Sequence, residues 1–319
     1  MTIFADPTIL FFIFGVFAGL IRSNLEIPQQ IAKFLSLYLL MALGLKGGFA
    51  LAASGFTTEI VVVLGLALFL SFLVPTISYL VLRRFLNGYD TAAVAATYGS
   101  ISAVTFVTAT QFLSNQSIEY GGFMAAAMAI MESPAIIMAV ALAAGTRAKA
   151  GVTTAAVSIK GILHESFTDG AHILLLAAMA IGMITGETGS AAMHPFTGEL
   201  FKGMLAFFLL DMGLQVAKNV PELRGKSPWL LAYAVTFPVI HAAIALGLCL
   251  LLGVTAGNAA LMMVLAASAS YIAVPAVVKH AIPEANPSVY FGLSLGITFP
   301  FNILVGIPLY TMAAQRFIA

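Results

Sequence analysis

Ten apolar stretches of near bilayer-spanning length run through this chain, at about 7–22, 31–53, 60–86, 90–113, 120–144, 168–186, 199–217, 228–252, 257–280 and 288–315. Each is close to or above the ~20 residues a membrane helix needs. Lipid offers no hydrogen bonds to a bare N–H or C=O, so such stretches must pair their backbone internally, as helices do. Composition agrees. The chain has 319 residues, 61% of them hydrophobic and 8% charged, where a soluble domain carries roughly 25% charged residues. An all-α integral membrane protein is therefore expected. Pro75, Pro134, Pro238, Pro275, Pro300 and Pro308 fall within spans, where neighbouring helices or a cavity satisfy the freed backbone groups. The single cysteine, Cys249, excludes an intramolecular disulfide and a multi-cysteine metal site. A net charge of +1 gives no reason to expect nucleic acid. Asp6 and the lack of an N-terminal basic region give no signal-peptide pattern.

Basic residues set the expected orientation. Loops after spans 1, 3, 5, 7 and 9 hold Arg22, Lys33, Arg83, Arg84, Arg147, Lys149, Lys160, Lys218, Arg224, Lys226 and Lys279. The opposite side holds Lys202 and Arg316, and Lys46 lies within span 2. The positive-inside rule then makes the odd loops cytoplasmic and places both termini outside the cell (inner) membrane.

The halves echo each other. Residues 98–106 and 266–274 each carry a small-Ser-x-Ser cluster inside an apolar span. Ser100 and Ser268 are 168 residues apart, as are Ser102 and Ser270. Gly44-Leu45-Lys46 falls against Gly213-Leu214-Gln215, Asp90 against Asn258, and Pro134 against Pro300. Five spans per half is an odd number, so the halves have opposite topology. The expectation is two inverted five-helix repeats, 1–150 and 167–319, joined by a cytoplasmic linker at 151–166. Spans 4 and 9 are expected to break within two or three residues of Ser102 and Ser270.

Broken spans can hold an anion. Each leaves free backbone N–H groups at a half-helix start, where the helix dipole adds about half a positive charge. Gly99, Ser100, Ser102, Ala103, Ser268, Ser270 and Tyr271 are the candidate anion-binding residues; the serines and Tyr271 add hydroxyl donors. A small, planar, oxygen-rich anion fits such donors. Coupling is expected from Glu132 and Asp211, the two carboxylates deep in spans, because intramembrane charge is costly and usually functional. Glu132 lies just before Pro134, whose repeat counterpart Pro300 is flanked by Thr298 and Asn302. Glu132, Thr105, Thr298, Asn302 and Asp211 offer hard oxygen ligands suited to sodium, the expected ion. Lys46 and Asp211 occupy adjacent repeat positions, so a structural pair is also expected. His164, Glu165, Asp169 and His172 lack metal-site spacing and read as interfacial polar residues.

These segments resemble a known family. Leu43-Gly44-Leu45-Lys46-Gly47-Gly48, Gly99-Ser100-Ile101-Ser102-Ala103-Val104-Thr105 and Glu132-Ser133-Pro134-Ala135 resemble motifs of the sodium-dependent bicarbonate transporters of the SbtA type. Asp211-Met212-Gly213-Leu214, Ser268-Ala269-Ser270-Tyr271-Ile272-Ala273 and Phe299-Pro300-Phe301-Asn302 do so in the second half. The resemblance implies a core domain (spans 3–5 and 8–10), a gate domain (spans 1, 2, 6 and 7), a homotrimer, and sodium-coupled inward bicarbonate transport. It departs at Glu132, where the family usually has aspartate. A PII-like regulatory partner goes with a longer, more basic connector than this one.

The expected activity is sodium-coupled symport of a small inorganic anion, bicarbonate first, by alternating access. Rivals are a cation/proton antiporter or an organic-anion/sodium symporter on the same architecture, and a passive anion channel. No phosphate loop, nucleophile elbow or catalytic carboxylate pair suggests an enzyme.

Overall fold

A computed structural model describes residues 6–149, 170–223 and 225–318. The expected linker at 151–166, together with His164, Glu165 and Asp169, lies outside the described residues. Among the described residues the fold is all-helical. Seven segments of the described residues are long and apolar enough to cross a membrane, and two shorter apolar helices accompany them. The helices are α1 (Pro7–Leu20), α2 (Gln29–Ser54), α3 (Thr58–Leu82), α4 (Gly88–Gly99), α5 (Ala103–Asn115) and α6 (Met124–Lys149). From Gly170 onward come α7 (Gly170–His194), α8 (Leu200–Asn219), α9 (Pro228–Leu252), α10 (Ala256–Ala267), α11 (Ala273–Ala281) and α12 (Pro287–Phe317).

Two apolar spans are interrupted. The fourth stops at Gly99 and restarts at Ala103; the ninth stops at Ala267 and restarts at Ala273. The sixth span differs from its expected end at 186. Helix continues past a kink at Gly186 (φ 51°, ψ −136°) to His194, and a π-helical turn at Pro195–Glu199 leads into α8. Only glycine adopts that backbone without strain.

Packing sorts the helices into two groups. In the first, α1 lies along α8, α2 along α7, and α2 also touches α8. The second is built on α3 against α4 and α6, α9 against α10, and α10 against α12. Small residues set the first group's crossings. A Cβ on Gly15 would meet Gly213 Cα at 3.1 Å, and one on Gly19 would meet Ala217 Cβ at 2.5 Å. Likewise Gly44 faces Ala178 and Gly48 faces Gly182. The order of these contacts makes both helix pairs parallel. Close backbone approach through small residues is the usual basis of helix association in lipid. A Cβ on Gly213 would stand 2.3 Å from the Phe12 carbonyl oxygen. Gly213→Ala is therefore expected to destabilise the fold by about 1–3 kcal/mol. Thermal unfolding in detergent should show a lower midpoint; an unchanged midpoint would mean that α1 and α8 separate freely.

Matched polar clamps hold the second group. Asp90 Oδ1 accepts from the Asn286 N–H (2.7 Å), and Asn258 Oδ1 accepts from the Gly121 N–H (2.7 Å). Asp90 and Asn258 are the residues paired by the sequence offset, and each ties the start of an interrupted span to the loop following the other one.

Candidate functional site

The interruptions lie against each other and are cross-linked by hydrogen bonds. The Ser102 N–H donates to Ser268 Oγ (3.0 Å), and Ser268 Oγ donates to the Leu265 carbonyl (2.9 Å). The Ser270 N–H donates to the Thr97 carbonyl at 2.8 Å. Asn302 Nδ2 donates to the Ala267 carbonyl (2.8 Å), and Tyr310 donates to Asn302 Oδ1 (3.0 Å). Several of the backbone groups freed by the breaks thus find partners inside protein, as membrane depth demands.

Ser102 is the N-cap of α5, and its Oγ accepts from the Thr105 N–H (3.2 Å) and from Thr105 Oγ1 (2.9 Å). Ser270 Oγ accepts from the Val274 N–H at 3.2 Å in α11. A capping hydroxyl accepts, so its own hydrogen remains for a neighbour or a ligand. The first N–H groups of a helix have no intrahelical acceptor. At α5 these include Ala103 and Val104; at α11 they include Ala273.

Both half-helix starts face one cavity of about 350 Å³. Ser102, Ala103 and Val104 line it from α5, and Ser270, Tyr271, Ile272 and Ala273 from the start of α11. Glu132 comes from α6, Ser36 and Leu40 from α2, and His172 and Leu175 from α7. The cavity therefore lies between the two packing groups. Glu132 is 8% exposed, and its Oε2 lies 2.5 Å from His172 Nε2. This contact joins α6 of one group to α7 of the other. The Tyr271 hydroxyl lies beside Ser102 and donates to Met212 Sδ of α8 (3.6 Å).

Of the candidate anion residues, Ser102, Ala103, Ser270 and Tyr271 line the cavity. Gly99 is behind it, packed on the Pro75 ring. Ser268 bridges the two interruptions, and Ser100 is buried, its hydroxyl without a partner among the described residues. The five candidate sodium ligands have separate surroundings. Glu132 faces the cavity. Thr105 bonds Ser102. Thr298 Oγ1 donates to the Ala234 carbonyl (2.7 Å) and meets the Tyr98 hydroxyl (2.6 Å). Asn302 holds the end of α10. Asp211 accepts from Gln215 Nε2 at 2.6 Å. Among the described residues Lys46 and Asp211 form no ion pair; Lys46 Nζ sits 4.0 Å from the Phe201 ring centroid instead. Sequence reasoning missed His172 as a cavity residue. The sequence shows it only as the last of the polar group His164, Glu165, Asp169 and His172 at the start of an apolar span, read above as interfacial.

A search of the curated proteins finds no match. The family model described as the Na+-dependent bicarbonate transporter superfamily matches residues 7–315, nearly the whole chain. The chain therefore belongs to the Na+-dependent bicarbonate transporter superfamily, which makes it a multi-pass membrane transporter and not an enzyme.

Proposed function

We propose that this protein is a sodium-coupled symporter that imports bicarbonate. The observation that carries the reading is the shared cavity, faced by two half-helix starts and one carboxylate. Free N–H groups at Ala103, Val104 and Ala273, with hydroxyls of Ser102, Ser270 and Tyr271, suit a planar three-oxygen anion. Glu132 is the anchoring ligand for sodium. Sodium here is a substrate carried with the anion, not a resident cofactor. Neutralising Glu132 removes the negative charge nearest the anion, which couples the two sites in free energy.

The architecture we assign is two inverted five-helix repeats, 1–150 and 167–319, with 151–166 between them. Support comes from the paired interruptions, the matched Asp90 and Asn258 clamps, and the parallel α1–α8 and α2–α7 pairs. Opposite topologies make spans 1 and 7 run the same way, and likewise spans 2 and 6. The first packing group is the gate and the second the core. With both termini outside, the cavity extends from mid-membrane towards the cytoplasmic ends of α2 and α7. The state described here is then inward-facing. In it His172 of the gate occupies Glu132 of the core, so sodium binding at Glu132 requires that contact to part. By the family resemblance we also propose a homotrimer in the cell membrane.

Uptake of labelled bicarbonate into proteoliposomes tests the reading. An inward sodium gradient should drive accumulation, and nitrate or acetate in excess should compete weakly. Equal flux without sodium would favour a channel; accumulation driven by a proton gradient alone would make the proton the coupling ion.

A further inference from the structure

On the far side of the interruptions from the cavity, gate and core meet backbone to backbone. Gly47 of α2 faces Gly122, just before α6. A Cβ on Gly122 would stand 2.4 Å from the Gly47 carbonyl oxygen and 2.8 Å from Gly47 Cα. A Cβ on Gly47 would stand 2.8 Å from the Gly122 carbonyl oxygen. Neither place accepts a side chain unless one body moves against the other. Both sides are braced. Gly121 is held by Asn258, whose Nδ2 donates to Glu59 Oε1 at 3.0 Å. Next to Gly47, Gly48 is packed against α7, where a Cβ would lie 2.1 Å from the Met179 carbonyl oxygen.

A second contact joins the same two bodies on the same side. Asn115 Nδ2, at the end of α5, donates to Asp6 Oδ2 (2.7 Å), while Asp6 Oδ1 caps α1 through the Thr8 N–H (2.8 Å). Between this contact and the interruptions, Phe12 of α1 meets Phe299 edge-on at 5.6 Å between centroids, and Phe299 meets Tyr271 at 5.1 Å.

We infer that Gly47–Gly122 and Asp6–Asn115 form the outer seal of the transporter, and that their parting admits the anion from outside. The inference rests on the alternating-access reading above. Its physical logic is that two glycines close tightly through backbone contact alone. The side chains beside the two glycines are the methyls of Ala50 and Ala125, so the glycine contact parts without withdrawing a long side chain from a pocket. The Asp6–Asn115 hydrogen bond adds one polar tie at the rim.

Thiol labelling tests this. In a Cys249→Ala background, Thr108→Cys reports the narrow gap under Asp6, lined by Thr8, Ile9 and Gln111. Val277→Cys reports the cavity. In the parent protein Val277→Cys should label readily and Thr108→Cys slowly. Gly122→Ala and Gly47→Ala should each raise Thr108→Cys labelling at least about tenfold and slow Val277→Cys labelling. Asn115→Asp opposes Asp6 with a second carboxylate, needs no added bulk, and should act in the same direction. It decides the matter if the glycine variants fail to fold. Folded seal variants that label like the parent would overturn the seal, provided sodium plus bicarbonate alters Thr108→Cys labelling in the parent. If neither ligand nor variants ever expose Thr108→Cys, alternating access fails and the seal with it.

Discussion

Ser102→Leu and Ser270→Leu are each expected to abolish bicarbonate transport in a protein that still folds. Both serines line the cavity where α5 and α11 begin. Leucine there fills the space between the two half-helix starts. It also removes a hydroxyl cap, at a cost of about 1 kcal/mol in stability, which a large membrane fold withstands. Alanine separates bulk from hydrogen bonding. Ser102→Ala or Ser270→Ala should weaken anion binding only about two- to tenfold, since a neutral hydrogen bond contributes about 0.5–1.5 kcal/mol net. Backbone N–H groups carry most of the charge stabilisation in this account, and they survive either substitution. Uptake and sodium binding measured on the same purified variants decide the point. Normal transport by both leucine variants would place the substrate elsewhere.

Glu132→Gln should lower apparent sodium affinity at least about tenfold, roughly 1.4 kcal/mol. Glutamine keeps the shape and still offers one oxygen to the cavity, so the loss reports charge rather than packing. Sodium titration of bicarbonate uptake gives the value directly. Unchanged sodium dependence would assign the ion elsewhere. Asp211 would then be the next candidate; it is buried at 5% exposure and shares its carboxylate with Gln215.

Much of the framework was legible because lipid penalises exceptions. A Ser-x-Ser cluster in an apolar span either packs closely on a neighbouring helix or interrupts its own, and the pairing of two such clusters favours interruption, which both show, at Gly99–Ala103 and Ala267–Ala273. Pairings across the fold were less legible. Lys46 and Asp211 are neighbours in the repeat register, but side chains choose partners in space. Lys46 settles over the Phe201 ring, and Asp211 takes a partner one turn along its own helix. The partners of Thr298 and Asn302 are likewise set in space: each donates to a carbonyl of a neighbouring helix, which their place beside Pro300 does not reveal. Glu132 and His172 are forty residues apart on helices of different groups. Periodicity within either span carries no trace of that contact. The kink at Gly186 was hidden for a related reason: residues 187–199 have loop-like composition, yet they continue as helix and π-helical turn.

In the proposed symporter the anion rests on the N–H groups at the starts of α5 and α11. Dipolar recoupling between carbon-13 bicarbonate and nitrogen-15 amides, in the reconstituted protein with sodium, tests it most directly. Residue-specific labels at Ala103, Val104 and Ala273 should show the carbonate carbon about 4 Å from at least one amide of each half-helix, as an N–H···O contact requires. That coupling should vanish when sodium is withheld. Bound bicarbonate with no coupling to any of these amides would mean that the anion is held elsewhere.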